Sequence, residues 1–253
     1  MPLKYEICVD STEGALVAEQ AGAARVELCA DLFEGGITPS LGLIETTLAA
    51  VSSILVNVLV RPRGGDFIYD DHEVRAMERD IIAIRDAGAN GVVVGALTPD
   101  GDVDRATMAR LRACAGDMSI TFHRAFDMVA DPHAVLETLV ELGYDRVLTS
   151  GQENSALEGS PLIAELVRQA AGRIAIMAGG GITPGNAARV AAATGAPELH
   201  FAAQVSTPSP ATFLNPRTYM GGSLRQAEYA RQATSLDLIE ATMAAASGMN
   251  RRG

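Results

Sequence analysis

The chain has 253 residues, 48% of them hydrophobic and 20% charged, with a formal net charge of −11. That is apolar mass enough for a continuous core, and the acidic excess repels polyanions, so nucleic acid and anionic membrane are excluded as main partners. No run reaches the roughly 18 uninterrupted apolar residues of a membrane span, and Met1 to Asp10 lacks a basic stretch followed by an apolar one, so the default location is cytoplasmic. Three cysteines, Cys8, Cys29 and Cys114, are odd in number and fall inside predicted elements, which suits reduced thiols better than a disulfide framework.

Eight short apolar runs read as strands: Tyr5 to Val9, Arg25 to Cys29, Ile54 to Val60, Gly91 to Leu97, Ser119 to His123, Arg146 to Ser150, Ile174 to Ala178 and Glu198 to Ala202. Between them Ala, Leu, Ile and Met recur at helical spacing, so strand and helix alternate eight times. This is the pattern of an α/β protein built as a single (β/α)8 TIM barrel over residues 1–248, followed by a short polar tail, 249–253. Thr38-Pro39, Asp131-Pro132, Ser160-Pro161 and Thr183-Pro184 read as helix starts, each a capping side chain before a Pro at the first helical position. Gly22, Gly88, Gly143 and Gly195 precede strands 2, 4, 6 and 8 and read as helix stops. Two connections are longer, Pro62 to Asp71 and Gln204 to Leu224, the second leading into a final helix expected over Arg225 to Ala246.

Strand parity then sorts side chains between the helical layer and the barrel axis. If Ile7, Val9, Val26, Leu28, Val56, Val58 and Val60 pack outward, Glu6, Cys8, Glu27, Cys29, Asn57, Leu59 and Arg61 face inward, joined by Thr121, His123, Glu198 and His200. Buried ions cost several kcal/mol unless paired, so these groups pair with one another, bind something, or sit in water at the mouth. The bland alternative is a satisfied cluster of Glu6, Glu27 and Arg61 plugging the barrel.

Functional groups of such a barrel gather at the C-terminal ends of its strands. Arg61-Pro-Arg-Gly-Gly-Asp-Phe67 offers two arginines around a rigid Pro, a fork suited to a carboxylate or phosphate, with Asp66 as acid, base or orienter; an ordinary charged turn is the alternative. Thr121-Phe-His-Arg-Ala-Phe-Asp127 places His123 beside Arg124 and Asp127, as general base, metal ligand or anion contact. Gly179, Gly180 and Gly181 run toward a helix, as phosphate turns do, and Ser150 joins the same rim; Gly triplets also serve as plain tight turns. His200 reads equally as rim group or core histidine. Cys8 and Cys29 end adjacent strands, so their sulfurs could share a soft metal ion, although buried Cys is often simple filler. Cys114 reads as packing, and His72 and His133 as solvated surface.

These motifs, with Glu6-Ile-Cys-Val-Asp-Ser11, Arg25-Val-Glu-Leu-Cys29, Glu34-Gly-Gly-Ile-Thr-Pro-Ser40, Arg146-Val-Leu-Thr-Ser-Gly151, Met177-Ala-Gly-Gly-Gly-Ile182 and Met220-Gly-Gly-Ser223, resemble the copper homeostasis protein CutC family over nearly the whole chain. The resemblance implies a cytoplasmic barrel linked to copper handling, with Cu(I) on Cys8 and Cys29. Met-rich or His-rich copper segments are absent. Two functions stay open. One is a metal-handling protein holding Cu(I). The other is an enzyme acting on a small anionic or phosphorylated metabolite, with Arg61, Arg63, Arg124, Ser150 and the Gly179 to Gly181 turn as anion contacts. Its proton-moving candidates are Glu6, Glu27, Asp66 and His123, with a divalent metal or none. A scaffold acting through its outer helices is a weaker third reading, and homo-oligomer formation is left open.

Overall fold

Alternation along each strand puts aliphatic side chains on one face and polar ones on the other, and a parallel sheet wrapped by helices hides both faces by closing on itself. The computed structural model describes residues 2–218 and 228–248. Its strands β1 (Lys4–Val9), β2 (Arg25–Leu28), β3 (Leu55–Leu59), β4 (Gly91–Val94), β5 (Ser119–Phe122), β6 (Arg146–Thr149), β7 (Ala175–Gly179) and β8 (Glu198–Phe201) pair in parallel in chain order and close β8 onto β1. Around them lie α1 (Thr12–Gln20), α2 (Leu41–Ala50), α3 (Asp71–Asp86), α4 (Arg105–Ala115), α5 (Pro132–Glu141), α6 (Ser160–Ala170), α7 (Ala187–Thr194) and α8 (Leu236–Ala246). The chain is therefore a closed (β/α)8 barrel, as the alternation predicts.

Parity shows in the packing. Ile7, Val9, Val26, Leu28, Val56, Val58 and Val60 join the large cluster between sheet and helices, whereas Cys8, Cys29, Leu59 and Val93 form a separate small apolar cluster inside the barrel. No helix among the described residues is long and apolar enough to cross a membrane.

Helix punctuation differs from expectation in instructive ways. Asp131 caps α5 and accepts from His133 N and Ala134 N, with Pro132 in the first turn. Ser160-Pro161 also opens a helix, since α6 begins at Ser160 with Pro161 in its first turn, although Gly159 precedes it and no side chain caps it. At the other two sites the helix starts later, Ser40 capping α2 while Thr38 bonds Arg61, and α7 beginning at Ala187, three residues past Pro184. A Thr-Pro pair fixes a turn without fixing the helix start, and in α2 the helix waits for Ser40 to supply the cap. The stops are as read: Gly22, Gly88, Gly143 and Gly195 all have φ between 62° and 90°, the left-handed turn that Gly adopts without strain.

The other correction concerns the last segment. Gln204–Pro208 and Ala230–Thr234 pair antiparallel as β9 and β10, and α8 starts only at Leu236, where a helix was expected from Arg225. This hairpin is largely exposed, so neither strand carries the alternation that marks a half-buried one. The Met220 to Ser223 motif and the tail 249–253 lie outside the described residues.

Candidate functional site

A ladder of buried charges fills the lower barrel. Glu198 accepts from Arg146 Nε at 2.5 Å and from Arg25 Nη2 at 2.6 Å, and Arg25 Nε pairs with Glu6. Glu6, fully buried, also takes His200 Nδ1 at 2.9 Å. Burial alone would raise the Glu6 carboxyl, but the His200 hydrogen bond and the Arg25 charge outweigh it and bring it down to about 2. Burial opposes the charge on His200 as well, yet Glu27, Cys8 and Glu6 hold its pKa well above the usual imidazole range. His200 is thus an imidazolium clamped between two carboxylates, its Nε2 lying 3.6 Å from Glu27 Oε2.

Above this ladder sit the thiols. Cys8 Sγ donates to Glu27 Oε2 at 3.2 Å, Cys29 Sγ donates to the Val9 carbonyl at 3.3 Å, and the two sulfurs are 3.6 Å apart. Its hydrogen bond with Cys29, then burial, push the Cys8 thiol well up, and burial also raises Glu27. Donor atoms of Cys8, Glu27 and His200 all lie within 4.8 Å of one another, a set able to hold a metal ion. A cavity of about 340 Å³ opens over them, with Cys8, Glu27, Arg61, His123, Arg124 and His200 in its wall.

The structure therefore brings together Glu6, Cys8, Glu27, Cys29 and His200, and sets His123, Arg124 and Asp127 along the same mouth. Asp127 is a hub, accepting from Thr149 Oγ1, Ser150 N, Gln152 N and Arg124 Nε. Ser150 Oγ accepts from Arg124 Nη2 at 2.8 Å, so it positions that guanidinium and does not line the cavity.

Three expectations need correcting. Arg61 and Arg63 form no fork: Arg61 spends Nη1 on the Glu34 and Gly36 carbonyls and Nη2 on that of Gly65, while Arg63 turns outward to Glu73, Asp66 and the Ile68 carbonyl. Asp66 is exposed, binds Arg63 and Ile68 N, and takes no place at the mouth. The Gly179 to Gly181 turn stands behind the cavity wall, Gly179 against Leu148 and His200, Gly180 against Ser150 and Gly181 against Ser155, and α7 starts six residues after Gly181, so no helix end presents its amides there. The plug of Glu6, Glu27 and Arg61 is likewise recast, because Arg25 and Arg146, not Arg61, pair with Glu6 and Glu198, while Glu27 faces His200 and Cys8. Those two arginines were the residues missed. They share parity with Glu27 and Leu148, so extending the count to the first residue of β2 and β6 would have found them.

The CutC family model matches residues 3–205. A CutC family protein of Mesorhizobium japonicum is 50% identical over 97% of this chain and 95% of its own length. The human copper homeostasis protein cutC homolog is 48% identical over 96% of this chain and 89% of its own. Among solved structures, that of a copper homeostasis protein CutC from Streptococcus agalactiae superposes with a TM-score of 0.75 at 34% identity, covering 79% of this chain and 98% of that one. With a barrel of the same build and relatives at such identity over nearly their full length, the chain belongs to the CutC family.

Proposed function

We propose that the protein acts in copper homeostasis and that its cargo is Cu(I), held by Cys8 and Cys29 with His200 as third donor, in a reducing cytoplasm that keeps both thiols free. The observation that carries this reading is the 3.6 Å between the two sulfurs inside the barrel. Thiolates and imidazole select soft ions such as Cu(I). At a metal–sulfur distance of about 2.3 Å, two sulfurs so placed subtend about 100° at a shared ion, too bent for two-coordinate binding, so a third donor is needed. His200 meets that need, because Glu6 holds Nδ1 and leaves Nε2 on the side of Cys8 and Glu27, the carboxylate–histidine arrangement that orients metal ligands.

Backbone register supports the same conclusion. Cys8 pairs with Glu27, so Cys29 stands one diagonal step up the neighbouring strand. From strand spacing and rise that puts the two Cα atoms about 8 Å apart, past the roughly 7 Å limit for a disulfide. The sulfurs can share an ion without being able to bond each other.

Anaerobic titration of Cu(I) against a competing chelator tests the proposal. One ion per chain is expected, bound more weakly in His200→Asn by at least the about 10- to 100-fold that loss of a mere supporting group costs, and more weakly still in Cys8→Ser/Cys29→Ser. Both thiols and the His200 imidazolium give up a proton when they ligate, so affinity should rise with pH. Equal affinity in wild type and the double cysteine variant refutes the reading.

A further inference from the structure

Two buried N–H groups in the wall of the mouth cavity have no hydrogen-bond partner among the described residues, His123 Nε2 and Arg61 Nε. The His123 ring is only 5% exposed, and its Nδ1 accepts from Ala125 N at 3.1 Å, which places the single hydrogen of the neutral ring on Nε2. Burial, together with the Arg61 charge, lowers the His123 pKa to about 3, so the ring is a neutral donor at any physiological pH. Phe67 packs on this ring at 4.9 Å between centroids and under the Arg61 guanidinium at 5.2 Å. A buried donor without an acceptor is costly, and the fold supplies none here.

Arg124 adds a third open donor. Its Nε is fixed on Asp127 at 2.7 Å and its Nη2 on Ser150 at 2.8 Å, while Nη1 has no partner among the described residues. Donors without acceptors call for a ligand whose oxygens only accept. Charge narrows the class: Glu27, Glu34 and Asp127 stand in the same wall as Arg61, Arg124 and His200, which leaves little surplus positive charge for a dianion. Phe67, Met128 and Leu148 supply apolar wall, and about 340 Å³ suits a small molecule.

We propose that the mouth cavity is a binding site for a small monocarboxylate with an apolar body, its oxygens taking hydrogen bonds from His123 Nε2 and Arg124. The cavity shares Cys8 and His200 with the copper reading, but the carboxylate contacts lie on other residues and are assayed on metal-free protein, so each can fail without the other.

The experiment follows benzoate binding by histidine ¹⁵N–¹H NMR on the full chain, with benzamide as the neutral isostere and phenylphosphonate as the dianion. Benzoate should move the His123 Nε2–H signal and bind more tightly than either analogue. His123→Phe and Arg124→Met should each weaken it about tenfold, as expected for losing one charge-assisted hydrogen bond. Arg124 is exposed, so that variant remains informative if His123→Phe misfolds. The proposal is overturned if the His123 signal stays unmoved through a benzoate titration, if Arg124→Met binds as wild type, or if phenylphosphonate binds more tightly than benzoate.

Discussion

Replacing Arg25 by Met tests the charge ladder that carries the site. Arg25 is 5% exposed and stands between Glu6 and Glu198, with Nη2 also 3.4 Å from Met177 Sδ. Met fills much of the same volume but leaves Glu6 with only His200 and Glu198 with only Arg146. Removing one partner of a buried ion pair costs about 3–5 kcal/mol, most of it the penalty on the charge left behind. For a chain of this size each kcal/mol moves Tm by roughly 2–4 °C, so a fall on the order of 10 °C is expected.

Urea and thermal unfolding give the measurement, and Arg173→Met gives the control. Arg173 pairs with Glu137 on the surface, both side chains more than 40% exposed, where solvent screening leaves such a pair little effect on stability. Arg25→Met/Glu6→Gln should recover part of the loss, since the stranded carboxylate is removed with its partner. A loss in Arg25→Met no larger than in Arg173→Met would refute the assignment of a buried, mutually dependent network.

Stability should also fall at acid pH: the folded-state pKa of Glu6 is depressed to about 2, so its contribution is complete above the unfolded carboxyl value and is lost as pH drops from about 4.5 towards 2. In Glu6→Gln that limb of the Tm–pH curve should flatten. His200 has the opposite sign, with a raised folded pKa, so its contribution is present below about 6.5 and fades as pH rises through that higher value; the gap in Tm between wild type and His200→Gln should narrow in alkali. Gly159→Ala should cost several kcal/mol or prevent folding, because its Cβ would lie 1.9 Å from the Ser150 carbonyl oxygen and backbone cannot swing aside; near wild-type solubility and Tm would contradict the close approach. Diamide should not link Cys8 to Cys29, and a peptide map joining Tyr5–Arg25 to Val26–Arg63 through a disulfide would overturn the register argument.

Much of this was legible in the sequence because a barrel strand imposes a period of two on every residue it contains. Glu6, Cys8, Glu27, Cys29, His123 and His200 could be placed inside from neighbours such as Ile7 and Val26 alone. What parity cannot give is where a long side chain ends. Arg61 starts inward, but three backbone carbonyls from the loops after β2 and β3 capture its guanidinium, and those loops have no period from which their course could be read. Arg63 and Asp66 turned away for the same reason: the connection after β3 bonds to itself and to Glu73 at the start of α3. The β9–β10 hairpin escaped notice because exposed strands have no core face to mark them.

A charge plug and a ligand site look like rival uses of the same barrel interior, yet the residues divide between them by depth. Arg146, Glu198, Arg25 and Glu6 satisfy one another, so the lower layer needs no ligand to be stable. Glu6 is shared with the layer above, where it holds His200 by Nδ1 and so fixes which nitrogen faces Cys8 and Glu27. The upper donors are paired only through weaker thiol contacts and a 3.6 Å approach to Glu27, which a bound ion can replace without stranding a charge below. The ladder would thus give the proposed copper site the rigid support that a preorganised metal site requires, and weakening it at Arg25 should loosen the hold on His200 before it disturbs either cysteine.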